Sequence, residues 1–131
     1  MKVFVFGNKD LEEDKVAFDV AKKLKVKDVE FVEIKPNEDL PFANEENVVI
    51  LDASEGIKDI TLINESNLDQ IQLTKSVTAH DYDLGFQLKY LKKLGKLNKF
   101  TIIGLPQKGK IDYLRIQSIL RKLVEQEMQG S

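Results

Sequence analysis

Three groups of side chains in this sequence could do chemistry together. Asp52 follows the apolar run Val48-Val49-Ile50-Leu51 and precedes Ala53-Ser54-Glu55-Gly56. An acid placed where a buried strand emerges is partly desolvated, so it must find a cation, a hydrogen-bond donor or a metal. His80 is the only histidine and lies in Thr78-Ala79-His80-Asp81-Tyr82-Asp83, just before a run of leucines at helical spacing. Asp10, Glu12, Glu13 and Asp14 form an acidic cluster after Gly7-Asn8. If Asp14, Asp52 and His80 fold over one edge, they make a set of two oxygen donors and one nitrogen donor with open positions. Such a set suits a borderline divalent metal such as nickel, zinc or iron. Each residue also has a plainer reading. Acids in a first helical turn cap orphan N–H groups and suit the dipole, and a lone histidine near a helix start is most often exposed and without a role. Asp81 or Asp83 is a sufficient N-cap for the helix that follows.

The rest of the composition narrows the chemistry. There is no cysteine, which excludes disulfides, thiolate metal sites, iron–sulfur clusters and cysteine nucleophiles. Twenty Lys and Arg face twenty-two Asp and Glu for a formal charge of −2, too balanced for a binder of phosphate backbones. At 131 residues with 42% hydrophobic and 32% charged side chains, the chain fits one globular domain, expected over residues 1–129. Gly130-Ser131 reads as a possible cloning scar. No apolar run approaches the roughly 20 residues needed to span a bilayer, and the expected location is the cytoplasm.

The elements that must position these residues follow from periodicity. Val3 to Phe6 is a short apolar run stopped by Gly7-Asn8 and reads as a strand buried on both faces. From Asp14 onward, Val16, Ala17, Val20, Ala21 and Leu24 fall at helical spacing, with Lys22, Lys23 and Lys25 crowding the end where cations suit the dipole. Val29 to Ile34 gives a second strand and Val48 to Leu51 a third, ending in Asp52. Ile60 to Ile63 reads as a fourth strand. Only seven residues, Ala53 to Asp59, separate it from the third, too few for a parallel crossover, so it is expected to run antiparallel at an edge. The stretch from Glu65 to Thr78 has weak periodicity and reads as loop. Leu84, Leu88 and Leu91 mark a helix stopping near Gly95, Phe100 to Ile103 a fifth strand ended by Gly104-Leu105-Pro106, and Ile116, Ile119, Leu120, Leu123 and Val124 the stripe of a last helix. Strands alternating with helices predict a three-layer α/β domain, whose ligands bind beyond the carboxyl ends of the strands.

Several familiar sites are missing. Gly7-Asn8 lacks the further glycines of a dinucleotide fingerprint, and the sequence holds no Gly-Lys-Ser or Gly-Lys-Thr phosphate loop and no Gly-x-Ser-x-Gly elbow. A response-regulator receiver domain has the right size and an acid at the end of strand three. It also needs an acidic pair after strand one and a lysine after strand five, where this chain has Gly7-Asn8 and Gly104-Leu105-Pro106.

Taken in order, Phe6-Gly7-Asn8, the acid at Asp14 opening the first helix, Asp52-Ala53 after an apolar strand, His80 before a leucine helix and Gly104-Leu105-Pro106 resemble the hydrogenase maturation endopeptidases. The resemblance covers nearly the whole chain. It implies a phosphorylase/hydrolase-like α/β/α fold, five strands in order 2-1-3-5-4, strand four antiparallel. It also implies an aspartic-type, metal-dependent endopeptidase that removes the C-terminal extension of a [NiFe] hydrogenase large-subunit precursor once nickel is in place. Asp14, Asp52 and His80 then correspond by position to the two acids and one histidine that meet the nickel, which the substrate delivers. Two departures stand out. Asp14-Lys15 occupies the place of a usual Glu-Gly pair, which shortens the first arm by one methylene, and Glu13 takes that place if the register slips by one. The Gly/Pro-rich stretch after the strand-three aspartate is reduced to Gly56. The competing expectation is a non-catalytic α/β binding module, either a degenerate relative or a receiver-like domain, that uses the same edge to hold a partner.

Overall fold

The computed structural model describes residues 1–6, 12, 15–34, 47–54, 57–64 and 99–129. Five strands, β1 (Lys2–Phe6), β2 (Glu30–Ile34), β3 (Asn47–Ser54), β4 (Thr61–Asn64) and β5 (Lys99–Pro106), form one sheet in the order β2-β1-β3-β5-β4. The pairs β1–β2, β1–β3 and β3–β5 are parallel, and β4 runs antiparallel to β5 at the sheet's edge. The short link between β3 and β4 forces this direction, as its length predicts.

Alternation along the strands sorts their side chains onto two faces. Val3, Val5, Val49, Leu51, Ala53, Ile103 and Leu105 share one buried cluster with residues of α1 (Lys15–Lys23) and α2 (Tyr113–Gln129). Ala17, Phe18 and Val20 from α1 and Ile116, Leu120 and Val124 from α2 are the buried helical positions. The opposite face gathers Phe4, Ile34, Val48, Ile50, Ile63, Phe100 and Ile102 into a second cluster. The helix expected over Leu84 to Leu91, the loop from Glu65 to Thr78 and the terminal pair Gly130-Ser131 lie outside the described residues. Among the described residues, no helix is long and apolar enough to cross a membrane.

Local chemistry sets the helix ends. Lys22 and Lys23 occupy the last turn of α1. The chain then turns through Asp28, whose φ of 67° is left-handed, with the Val29 N–H donating to the Val26 carbonyl at 3.1 Å. Aspartate tolerates that conformation better than most residues with a Cβ. Asp112 caps α2 by accepting the Arg115 backbone N–H on Oδ1 at 3.0 Å.

Two strands are longer than their apolar runs suggest. β3 continues through Asp52 to Ser54, and β5 through Gly104 and Leu105 to Pro106. Asp52 is therefore inside its strand rather than just after it. Gly104-Leu105-Pro106 belongs to β5 rather than ending it. The ladder continues as Asp52↔Gly104, Ala53↔Leu105 and Ser54↔Pro106 because Ala53 and Leu105 still bury against the helices. Pro106 has no N–H to offer a further rung.

Candidate functional site

The parallel strands β1, β3 and β5 all bring their carboxyl ends to one edge of the sheet. β1 stops at Phe6, whose register partner on β3 is Asp52, so the aspartate stands at the rim where the first strand has run out. On its other side Asp52 pairs with Gly104 of β5. Its side chain alternates away from Leu51 and Ala53, toward the face that carries Val48 and Ile50.

Asp52 is 1% exposed and is the only buried polar or charged side chain among the described residues. Its Oδ1 is shut off from solvent. Phe6 and Ile57 pack against the second cluster, and Gly104 leaves the adjacent position on β5 without a side chain. Ile57 fills that space: a Cβ built on Gly104 would lie 2.8 Å from Ile57 Cδ1 and 3.4 Å from the Thr61 carbonyl oxygen. An ionised carboxylate shut off from solvent interacts with a nearby cation far more strongly than it would in water.

Asp14 and His80 lie outside the described residues, as does the alternative acid Glu13. Glu12, from the same acidic cluster, is exposed and faces Lys15 Nζ at 3.6 Å, a surface pair of the structural kind. Among the described residues, no group of three or more His, Asp or Glu side chains could hold a metal ion.

The structure adds three residues that the sequence did not single out, Asp59, Arg115 and Gln107. Arg115 of α2 donates from Nη1 to both carboxylate oxygens of Asp59, at 3.0 and 3.1 Å, while the Ile60 N–H donates to Asp59 Oδ1 at 2.8 Å. The Ile60 N–H first, then the Arg115 guanidinium, hold the Asp59 carboxyl below the usual carboxylate range. This clamp ties the start of α2 to the approach to β4. Gln107 directly follows β5 at the same carboxyl edge as Asp52, and its Nε2 is buried without an acceptor among the described residues. The available signal was its place, a polar residue immediately after the strand's last rung.

No protein-family model matches the chain, and no curated protein matches it in sequence. Solved structures do match it. The [NiFe] hydrogenase maturation protease HybD from Thermococcus kodakarensis superposes with a TM-score of 0.64 at 21% identity, covering 94% of this chain and 99% of its own. The hydrogenase maturating endopeptidase HybD from E. coli gives 0.62 at 17% identity over 99% of this chain and 94% of its own. An endopeptidase from Escherichia coli, solved in solution, gives 0.60 at 20% identity over 81% and 74%. The likeness is one of fold: this chain has an α/β fold with a five-stranded mixed sheet in the order expected from the resemblance. That order also overturns the receiver-like alternative, because a receiver domain has an all-parallel sheet in the order 2-1-3-4-5.

Proposed function

We propose that this chain is a nickel-dependent endopeptidase that removes the C-terminal extension of a [NiFe] hydrogenase large-subunit precursor, acting in the cytoplasm as a single domain over residues 1–129. The observation that carries the reading is Asp52: a carboxylate 1% exposed at the carboxyl edge of the sheet, in a fold that covers 94% of this chain in its likeness to a hydrogenase maturation protease. A buried acid contributes little to an apolar core, and it suits a site that meets a cation.

On this reading Asp14, Asp52 and His80 meet the nickel that the precursor carries. Two carboxylates and one imidazole are a donor set suited to a borderline divalent ion, and they leave coordination positions for the substrate. Nickel supplies a Lewis acid that polarises the scissile carbonyl or activates a water, so no protein nucleophile is needed. Asp52 stands at a fixed place on a strand paired on both sides, which keeps the carboxylate from following a mispositioned ion.

The test is intact-mass spectrometry of nickel-loaded precursor incubated with the wild-type protein and with Asp52→Ala. Loss of the C-terminal extension with wild type alone supports the proposal. A precursor that stays intact with both leaves a non-catalytic module.

A further inference from the structure

The link between β3 and β4 crosses the carboxyl edge of the sheet, where folds of this class bind their ligands. In the order β3-β5-β4 the strands it joins flank β5, so it has to pass over the end of that strand. Its side chains record the crossing. Ile57 packs with the cluster on the face that carries the Asp52 side chain, whereas Ile60, three residues on, is buried in the cluster under the helices. The link therefore changes faces between Ile57 and Ile60, and Asp59 lies within that passage.

Both ends of the passage are fixed. On the side of Asp52, Ile57 Cδ1 lies 2.8 Å from where a Cβ on Gly104 would stand. Gly104 is the register partner of Asp52, so the two positions face the same way on strands about 5 Å apart. On the helix side, Arg115 donates from Nη1 to both carboxylate oxygens of Asp59, the Ile60 N–H donates to Asp59 Oδ1, and the Thr61 hydroxyl donates to the Asp59 carbonyl. Arg115 is held in turn, because its backbone N–H donates to Asp112 at the start of α2. Asp59 and Arg115 are both exposed, and an exposed ion pair adds little to the stability of a whole domain. Its effect falls on the link. We infer that Arg115 is a positioning residue for the site at Asp52: through Asp59 it holds the β3–β4 link across the edge and so keeps Ile57 seated on Gly104, beside the acid. The inference rests on the endopeptidase reading and adds to it a residue that acts from the opposite face of the sheet.

Three substitutions test it. Arg115→Met removes the guanidinium, Asp59→Asn removes the charge it meets, and Arg115→Lys keeps a cationic donor. In cleavage of nickel-loaded precursor, Arg115→Met and Asp59→Asn are each expected to lower kcat about fivefold, the upper end of what an exposed pair supplies, with KM within about twofold of wild type. The double variant should be no slower than either single one, because both break the same contact, and Arg115→Lys should recover kcat to within about twofold. Tm should stay within about 4 °C of wild type throughout, which separates positioning from loss of fold. An unchanged kcat in Arg115→Met, a double variant slowed by the product of the single effects, or a larger fall in Tm overturns the inference. A second readout needs no turnover. The Ile57 Cδ1 methyl NMR signal of the free protein is expected to move in Arg115→Met and to return toward its wild-type position in Arg115→Lys. A methyl signal indifferent to Arg115→Met overturns the inference, whereas a moved signal in a protein whose wild type leaves loaded precursor intact keeps the hold on the link and refutes the endopeptidase reading.

Discussion

Asp52 and Gly104 are register partners on β3 and β5, and the room that a side chain at 104 would take is filled by Ile57 Cδ1. The glycine thus lets an isoleucine from outside the strand roof the sheet next to the buried acid. Gly104→Ala must displace Ile57, at about 1–3 kcal/mol for overpacking. Ile57→Val removes the clashing methyl and costs about 0.5–1.5 kcal/mol alone. The double variant should be more stable than the sum of the single effects by at least about 0.5 kcal/mol, measured by urea denaturation. Strict additivity would show that the two residues do not compete for one space.

Function and stability should separate at this edge. Asp52→Ala and His80→Ala are expected to fold within about 1 kcal/mol of wild type, or better, while losing nickel-dependent cleavage. Leu51→Ala, one residue away and fully buried on the helix-covered face, should cost about 2–5 kcal/mol through a cavity. Denaturation midpoints paired with cleavage assays check this, and unfolding of His80→Ala would assign that histidine a structural role.

The Asp59–Arg115 clamp makes a pH prediction. Because the folded state lowers the Asp59 pKa, its contribution is present above the unfolded value of about 4 and is lost as pH falls through the lower folded value. Arg115→Met should move the Asp59 titration upward toward the ordinary range, followed by carboxyl NMR. The Ile60 N–H keeps part of the depression, so a complete return to the ordinary value would show that the backbone bond contributes nothing.

At Asp28 the left-handed backbone sets the order of substitutions. Asp28→Gly should be neutral or slightly stabilising, whereas Asp28→Val should cost about 1–2 kcal/mol, both read from thermal unfolding. Equal effects would mean that the turn after α1 adapts to any residue.

The sheet was legible where spacing alone decides direction. The seven residues between Leu51-Asp52 and Ile60 cannot make a crossover, and β4 is antiparallel at the edge for that reason. The strand ends were less legible. A polar residue after an apolar run looks like a terminus, yet Asp52 and Gly104 remain in the ladder because the next residues, Ala53 and Leu105, still bury against the helices. The Asp59–Arg115 clamp joins residues 56 apart in sequence and has no local signature. Of the proposed site, Asp52 could be found from its place after an apolar run. Whether Asp14 and His80 meet Asp52, as proposed, is not written in any local spacing, because the three come from separate segments.

The central claim is that the acids and the histidine recognise nickel already seated in the precursor. The direct measurement compares cleavage of nickel-loaded and nickel-free precursor by the same dialysed protein, followed by intact mass. Two carboxylates and one imidazole should hold nickel weakly on their own, so the sensing mechanism requires a protein with little bound metal that cuts the loaded precursor near its C terminus and leaves the nickel-free form whole. Equal cleavage of both forms, or nickel bound tightly and in stoichiometric amount after extensive dialysis, would contradict it.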